Sequence, residues 1–234
     1  MVKYKIIADQ LSEAIRQGKY KDTNKLPTEE QLVKEFNVSK TTIRNAIQVL
    51  CSYGIVYQVQ GSGMFIRERD KDDYLTLTLQ RGVKTRYMDK SVESLCLSLE
   101  VIEADEKLAK TMKCALNTPI YFIKRLRIVE HEYYSIEYTY YNKEVIPYLN
   151  ETIVEDSIYK YIKDVLKLNV AFADKYVYCE KLNKEDAELL HLQENDPALI
   201  INDITYLSSG VIFNYSRVVH NYQKVKIYST ASNV

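Results

Sequence analysis

Residues 26–66 read LPTEEQLVKEFNVSKTTIRNAIQVLCSYGIVYQVQGSGMFI, and this run decides the first part of the fold. Ser39 is a favourable helix N-cap placed directly before a periodic run. Ile43, Ala46, Ile47 and Leu50 recur at helical spacing and define one apolar face. The opposite face carries Lys40, Thr41, Arg44, Asn45 and Gln48. Upstream, Thr28 with Gln31 three residues on forms a capping box, and Pro27 marks the boundary before it. Leu32, Val33 and Phe36 face inward on that earlier helix. Asn37-Val38-Ser39 leaves room only for a sharp helix–helix turn. Beyond Gly54, IVYQVQ, GSG and MFIR give a strand, a glycine turn and a strand. Gly61 and Gly63 permit positive φ at the tip. The pattern predicts a winged helix-turn-helix. Alone, a polar helix face reads as solvated; beside this turn and hairpin it reads as donors aimed at phosphates and base edges.

Working outward, residues 4–17 form a first helix, with Ile7, Leu11, Ala14 and Ile15 inward and Gly18 ending it. The head is therefore expected over residues 1–66. The charged run RERDKDDYLTLT at 67–78 reads as a linker, and residues 79–234 as a second domain. The 234-residue chain is 46% hydrophobic, enough for a sizeable core in each part. Its formal charge is zero but unevenly spread. Residues 1–70 hold 11 Lys and Arg against 8 Asp and Glu, and the remainder holds 21 against 24. A mildly basic head on a mildly acidic body fits nucleic acid at one end. Four scattered cysteines (Cys51, Cys96, Cys114, Cys179) form no C-x-x-C and fit reduced thiols in a cytoplasmic protein. No apolar run reaches membrane-spanning length, and the N-terminus does not read as a signal peptide. Tyrosine is abundant, at 21 residues, chiefly in strand-like segments.

In the second part, strands are expected at 91–102, 119–129, 133–142, 172–182, 198–207, 211–222 and 224–229. Helices are expected at 105–113, 157–166 and 184–191, the middle one burying Ile158, Tyr161, Ile162 and Val165. Hairpins dominate, so the sheet should be mainly antiparallel with segregated helices, an α+β fold. DEKLAKTMKCALNTPIYFIKRLRI at 105–128 and KEDAELLHLQENDPALIINDITYL at 184–207 share one layout. Ala109 and Ala187, and Pro119 and Pro197, are each 78 residues apart. Two copies of a unit imply a pseudo-twofold domain whose halves both contribute polar groups to a pocket. Arg125 and Arg127 are two residues apart and so share one strand face, and Ser157 opens a helix whose N-terminal amides favour an anion.

Nothing in the sequence reads as a catalytic or metal centre. His131, His191 and His220 lie far apart without metal-ligand spacing, and neither G-x-S-x-G nor a phosphate-binding glycine loop is present. No catalytic residue, metal or cofactor is expected.

Residues 26–66 resemble the DNA-binding head of GntR-type bacterial transcription regulators, whose pattern runs LPSE(R)xLaxxxgVSRxTvRxAlxxLxxxGlixrxxGxGtfV. The resemblance implies that Lys40, Thr41, Thr42, Arg44 and Asn45 face operator DNA, with Gln60, Gly61 and Ser62 at the wing tip entering the minor groove. The chain departs from the pattern at Glu30, where the family usually has Arg. Residues 80–234 resemble the effector-binding (UTRA) domain of the HutC branch, which shares its fold with chorismate lyase. In phosphosugar-sensing members two arginines on one strand and a Ser/Tyr pair at a helix start grip the phosphate; here those positions match Arg125, Arg127, Ser157 and Tyr159. Glu137 would accept from ligand hydroxyls or an amine. Asn214 stands where related sensors have an acid, and His220 where they have Tyr. The family reading implies a homodimeric repressor of a sugar uptake or catabolic operon, bound to double-stranded operator DNA and released by a small anionic effector such as a phosphosugar. The alternatives are a chorismate-lyase-like enzyme and a sensor of a non-phosphorylated metabolite.

Overall fold

Side-chain caps set the ends of the first helices. In the computed structural model, which describes residues 3–67, 74–77 and 90–229, helix α1 spans Lys3–Arg16 and Gly18 follows it with φ +80°. Helix α2 (Glu29–Phe36) opens on the full capping box: the Thr28 side chain accepts from the Gln31 amide, and the Gln31 side chain accepts from the Thr28 amide. It ends on Asn37, in the left-handed conformation that Asn tolerates. Two residues later Ser39 accepts from the Thr42 amide and starts α3 (Lys40–Ser52). Ile43, Ala46, Ile47 and Leu50 are buried against Ile7, Leu11 and Leu32. Strands β1 (Val56–Val59) and β2 (Gly63–Ile66) pair antiparallel as the wing. Residues 24–26 lie along its free edge: Leu26 N–H donates to the Met64 carbonyl and Ile66 N–H to the Asn24 carbonyl.

By backbone proximity the chain divides into two units, Met1–Leu79 with Ile227–Val234, and Gln80–Lys226. The first therefore includes a late return of the chain. Strand β3 (Tyr74–Thr76) falls inside the segment read as a linker and pairs with the last strand, β10 (Lys226–Tyr228). The Tyr74 and Tyr228 rings meet at 6.2 Å. Residues 68–73 and 78 of that segment lie outside the described residues.

The second unit is one six-stranded antiparallel sheet in the order β4-β5-β6-β9-β8-β7. Its strands are β4 (Val92–Glu103), β5 (Pro119–Val129), β6 (Glu132–Asn142), β7 (Val170–Lys181), β8 (Pro197–Leu207) and β9 (Ile212–Asn221). The repeat read from the sequence is a structural repeat. Helices α4 (Glu106–Met112) and α7 (Lys184–Leu190) are capped by Asp105 and Asn183 and end on left-handed Lys113 and His191. Each carries its buried Ala at the same place, and a positive-φ Asn (Asn117, Asn195) precedes each following strand. Even the loop bonds repeat: Asn117 N–H donates to Ala104, and Asn195 N–H to Leu182. The halves meet at β6 and β9, so the pseudo-twofold runs through the sheet centre.

Helices α4 and α7 cover one face, packing on Ile120 and Ile212, and on Leu126, Ile136, Ile200 and Val219. The other face is covered by α5 (Glu151–Glu155), α6 (Ile158–Lys160) and the turn that follows. Here the structure corrects the sequence reading in two respects. The helix α5, capped by Asn150, was not expected. The helix expected over 157–166 is three residues of α-helix running into a π-turn at Tyr161–Val165, closed by Leu166 N–H on the Tyr161 carbonyl. The wider turn rotates the later residues, so Ile158 and Ile162 stay buried while Val165 is 64% exposed instead of inward.

Candidate functional site

On the head, α3 presents Lys40, Thr41, Arg44, Asn45 and Gln48 to solvent, and the wing tip presents Gln60, Gly61 and Ser62. Thr42 is turned back: its hydroxyl lies 2.8 Å from the Ser39 hydroxyl. The tip is a tight turn in which Ser62 N–H donates to the Val59 carbonyl with Gly61 at φ +76°. A Cβ at Gly61 would meet nothing within 4 Å, so glycine serves the backbone angle there. Gly63 has φ +115°; a Cβ there would meet only the flexible end of the Lys25 side chain, so here too the backbone angle is what calls for glycine.

The exposed cations of α3 are partnered by the start of α2. Arg44 Nε donates to both Glu29 carboxylate oxygens, at 3.2 and 3.0 Å. Lys40 Nζ stands 3.7 Å from Glu29 and 3.8 Å from Glu30. These pairs are solvent-facing, and each is worth little in water. Docking on a phosphate or base edge can therefore exchange them at small cost.

In the second unit a buried charged cluster lies on the sheet face beneath α5. Register explains it. Arg125 is opposite Cys96 and Glu137, and Arg127 is opposite Ser94 and Ser135, so all six share one face. The β5–β6 hairpin turns at Glu130-His131, both with positive φ, and a bulge at Tyr134 then shifts the pairing by one. Without the bulge, Ile136 would stand opposite Arg125 and Glu137 would point to the other face.

Glu137 is the hub. Arg125 Nη2 donates to it at 2.6 Å, and Arg127 Nε and Nη2 at 3.0 and 3.1 Å. Burial pushes its carboxyl up, but the two guanidiniums more than reverse that and hold its pKa at about 2. Burial and Arg125 pull the Arg127 pKa down while Glu137 raises it. Two cations and one anion leave a single positive charge in a nearly dry site. Arg125 Nη1 also donates to the Val154 carbonyl in α5 at 2.6 Å, and Arg127 Nη1 donates to the Ser94 hydroxyl. Arg125 Nε, the Ser135 hydroxyl and the Thr139 hydroxyl are buried on this face without a hydrogen-bond partner among the described residues. Unsatisfied donors beside a net positive charge suit the oxygens of an anion.

The other expected residues are placed differently. Ser157 caps α6 with its hydroxyl on the Lys160 amide, 3.3 Å away, so that oxygen serves the backbone. With α6 three residues long, the helix-dipole argument for an anion at Ser157 is weak. Tyr159 and Asn214 are joined through Thr205: the Tyr159 and Thr205 hydroxyls are 3.5 Å apart, and Thr205 donates to Asn214 Oδ1 at 3.3 Å. The Asn214 amide donates to the Tyr140 and Tyr215 carbonyls, which fixes it as part of the sheet. His220 is buried opposite Ser135 and meets the Tyr134 ring edge-on at 5.8 Å. Sequence reading missed Ser94, Ser135 and Thr139. For Ser135 and Thr139 the signal was the i, i+2 run Ser135-Glu137-Thr139, polar positions on one face of a strand.

Comparisons with known proteins agree with this architecture. Residues 3–66 match the model of the bacterial regulatory proteins of the gntR family, and residues 88–226 match the UTRA domain. The uncharacterized HTH-type transcriptional regulator YydK of Bacillus subtilis is 33% identical over 100% of this chain and 99% of its own length. Its crystal structure superposes with a TM-score of 0.80 over 99% of this chain and 100% of that one. The HTH-type transcriptional regulator GmuR of the same organism is 32% identical, covering 98% of both chains. The mannosyl-D-glycerate transport/metabolism system repressor MngR of Escherichia coli is 29% identical over 93% of this chain and 91% of its own. The chain thus belongs to the GntR family, with a UTRA effector-binding domain: it is a DNA-binding transcription regulator and not an enzyme.

Proposed function

We propose that this regulator represses a sugar uptake or catabolic operon and is released from its operator by a small anion, such as a phosphosugar, bound at the Arg125–Arg127–Glu137 cluster. The carrying observation is that cluster: one net positive charge, buried, with Arg125 Nε, Ser135 and Thr139 still able to bond. Arg offers planar, paired donors matched to phosphate or carboxylate oxygens. The repression of a sugar system by MngR supports the class of operon. Lys40, Thr41, Arg44 and Asn45 would enter the major groove and the Gln60-Gly61-Ser62 tip the adjacent minor groove. A homodimer reading a palindrome, its half-sites one helical turn or about 34 Å apart, would gain affinity and specificity over a single head. Four free cysteines suit the reducing cytoplasm.

The test is a fluorescence-anisotropy titration of the full chain on its own promoter DNA, repeated with phosphorylated sugars, free sugars and sugar acids. Release by phosphosugars alone supports the proposal. Release by a sugar acid with no effect of phosphosugars gives the second reading, a non-phosphorylated carboxylate. Arg127→Ala that still responds fully removes the cluster from the site.

A further inference from the structure

The first turn of α2 carries a group that DNA docking alone leaves unused. Glu30 is 81% exposed, and its carboxylate lies 3.8 Å from Lys40 Nζ, at the first residue of α3. Its neighbour Glu29 is more enclosed and holds Arg44. An exposed pair at such a distance adds little to stability, so Glu30 contributes little to the head's fold. It can, however, act on whatever α3 touches. Recognition helices read base edges with their N-terminal residues, and Lys40 is such a residue.

An ionised carboxylate only accepts hydrogen bonds. On a duplex it is repelled by phosphates and by the N7 and O6 acceptors of guanine. Among major-groove edges only cytosine offers a donor, N4, with no acceptor beside it; adenine pairs its N6 donor with an acceptor at N7. A carboxylate standing over the groove would therefore lower affinity for a duplex in general and recover the loss where a cytosine amine lies under it. We infer that Glu30 is a specificity residue: it accepts from cytosine N4 at one position of each half-site and rejects guanine there. The inference rests on the proposed docking of α3.

The experiment is selection of binding sites from a random duplex library by the full-length protein and its Glu30→Gln, Glu30→Arg and Arg44→Ala variants, with thermal midpoints recorded for each. The wild type should enrich sites with one invariant cytosine per half-site, where a change to guanine weakens binding roughly tenfold or more. Glu30→Gln should relax that position alone, and Glu30→Arg should replace its cytosine by guanine, the base Arg reads in paired fashion. Both should melt with the wild type; if the Arg variant does not fold, Glu30→Gln still decides. Identical preferences in the wild type and Glu30→Gln, or guanine at that position in the wild type, overturn the inference. If Arg44→Ala loses sequence-specific binding in that case, docking by α3 stands without a role for Glu30. If Arg44→Ala selects the same sites as the wild type, the docking of α3 fails and this inference with it.

Discussion

Replacing Glu137 by Gln removes the anion that lets two guanidiniums share a buried face. The carboxylate takes three charge-assisted bonds of 2.6–3.1 Å from Arg125 and Arg127. The amide keeps the shape, but it carries no charge and turns a donor toward donors. Two routes give the size of the effect. Breaking a buried pair by removing one partner costs about 3–5 kcal/mol. Independently, holding the carboxyl at about 2 against its ordinary 4.5 corresponds to roughly 3 kcal/mol. In a unit of this size that lowers the melting midpoint by roughly 6–12 °C. A second effect has the opposite sign for anions. The cluster's charge rises from one to two, so an added anion should bind more tightly and restore more stability than it adds to the wild type. The assay is thermal unfolding of both proteins with increasing inorganic phosphate at constant ionic strength. A loss under about 1 kcal/mol would show that Glu137 does not hold the pair. Equal phosphate gains in both proteins would show that the arginines do not face an anion site.

Other expectations follow from the same geometry. Because the folded pKa of Glu137 lies below its ordinary value, its stabilisation is full above about pH 4.5 and fades as pH falls toward about 2; urea midpoints of the wild type and Glu137→Gln should converge over that window. Arg44→Ala should weaken specific DNA binding by about 1–3 kcal/mol, toward the lower end because Arg44 must first leave Glu29; anisotropy in physiological salt checks it, and unchanged binding would exclude Arg44 as a base reader. Arg127→Lys keeps a cation but cannot bond Glu137 through two nitrogens and Ser94 at once. DNA affinity should stay within about twofold while effector release needs at least roughly tenfold more ligand.

The parts of this fold that were legible in the sequence are those written locally. Thr28 and Ser39 are caps because their short side chains reach an amide three residues on, a contact within one turn. The repeat was legible because each half folds by the same local rules. Helix α5 was not: five residues are too few to show a period, and it is held by Val154 in the core and by Arg125 on its carbonyl. The π-turn after Lys160 leaves no trace in residue type. The Arg125–Arg127 pairing on one strand face was legible from spacing alone, yet the place of Glu137 depends on the bulge at Tyr134, which sequence did not announce. Asn214 was expected at the ligand by resemblance; its amide donates to the Tyr215 carbonyl of its own strand and to the Tyr140 carbonyl, the latter a bond that exists only once β6 and β9 are paired.

That dependence bears on how an anion can switch the protein. A ligand moves an equilibrium only by its difference in affinity for the two arrangements. Turning one state from 99% occupied to 1% needs about 5.5 kcal/mol of that difference. A hydrogen bond to a charged group contributes about 1.5–3 kcal/mol, so two or three bonds made in one arrangement and absent in the other suffice. The cluster has such bonds to exchange. Arg125 holds the Val154 carbonyl and Arg127 holds Ser94, and both acceptors lie outside the Glu137 hub. Under the proposed anion site, a ligand that took over those donors would release the tie between Arg125 and Val154 of α5, while β4 stays paired along β5 and the arginines stay fixed by Glu137. The hub would thus keep the donors in place as their outer partners change, so that the proposed ligand would act on α5 and leave the core intact.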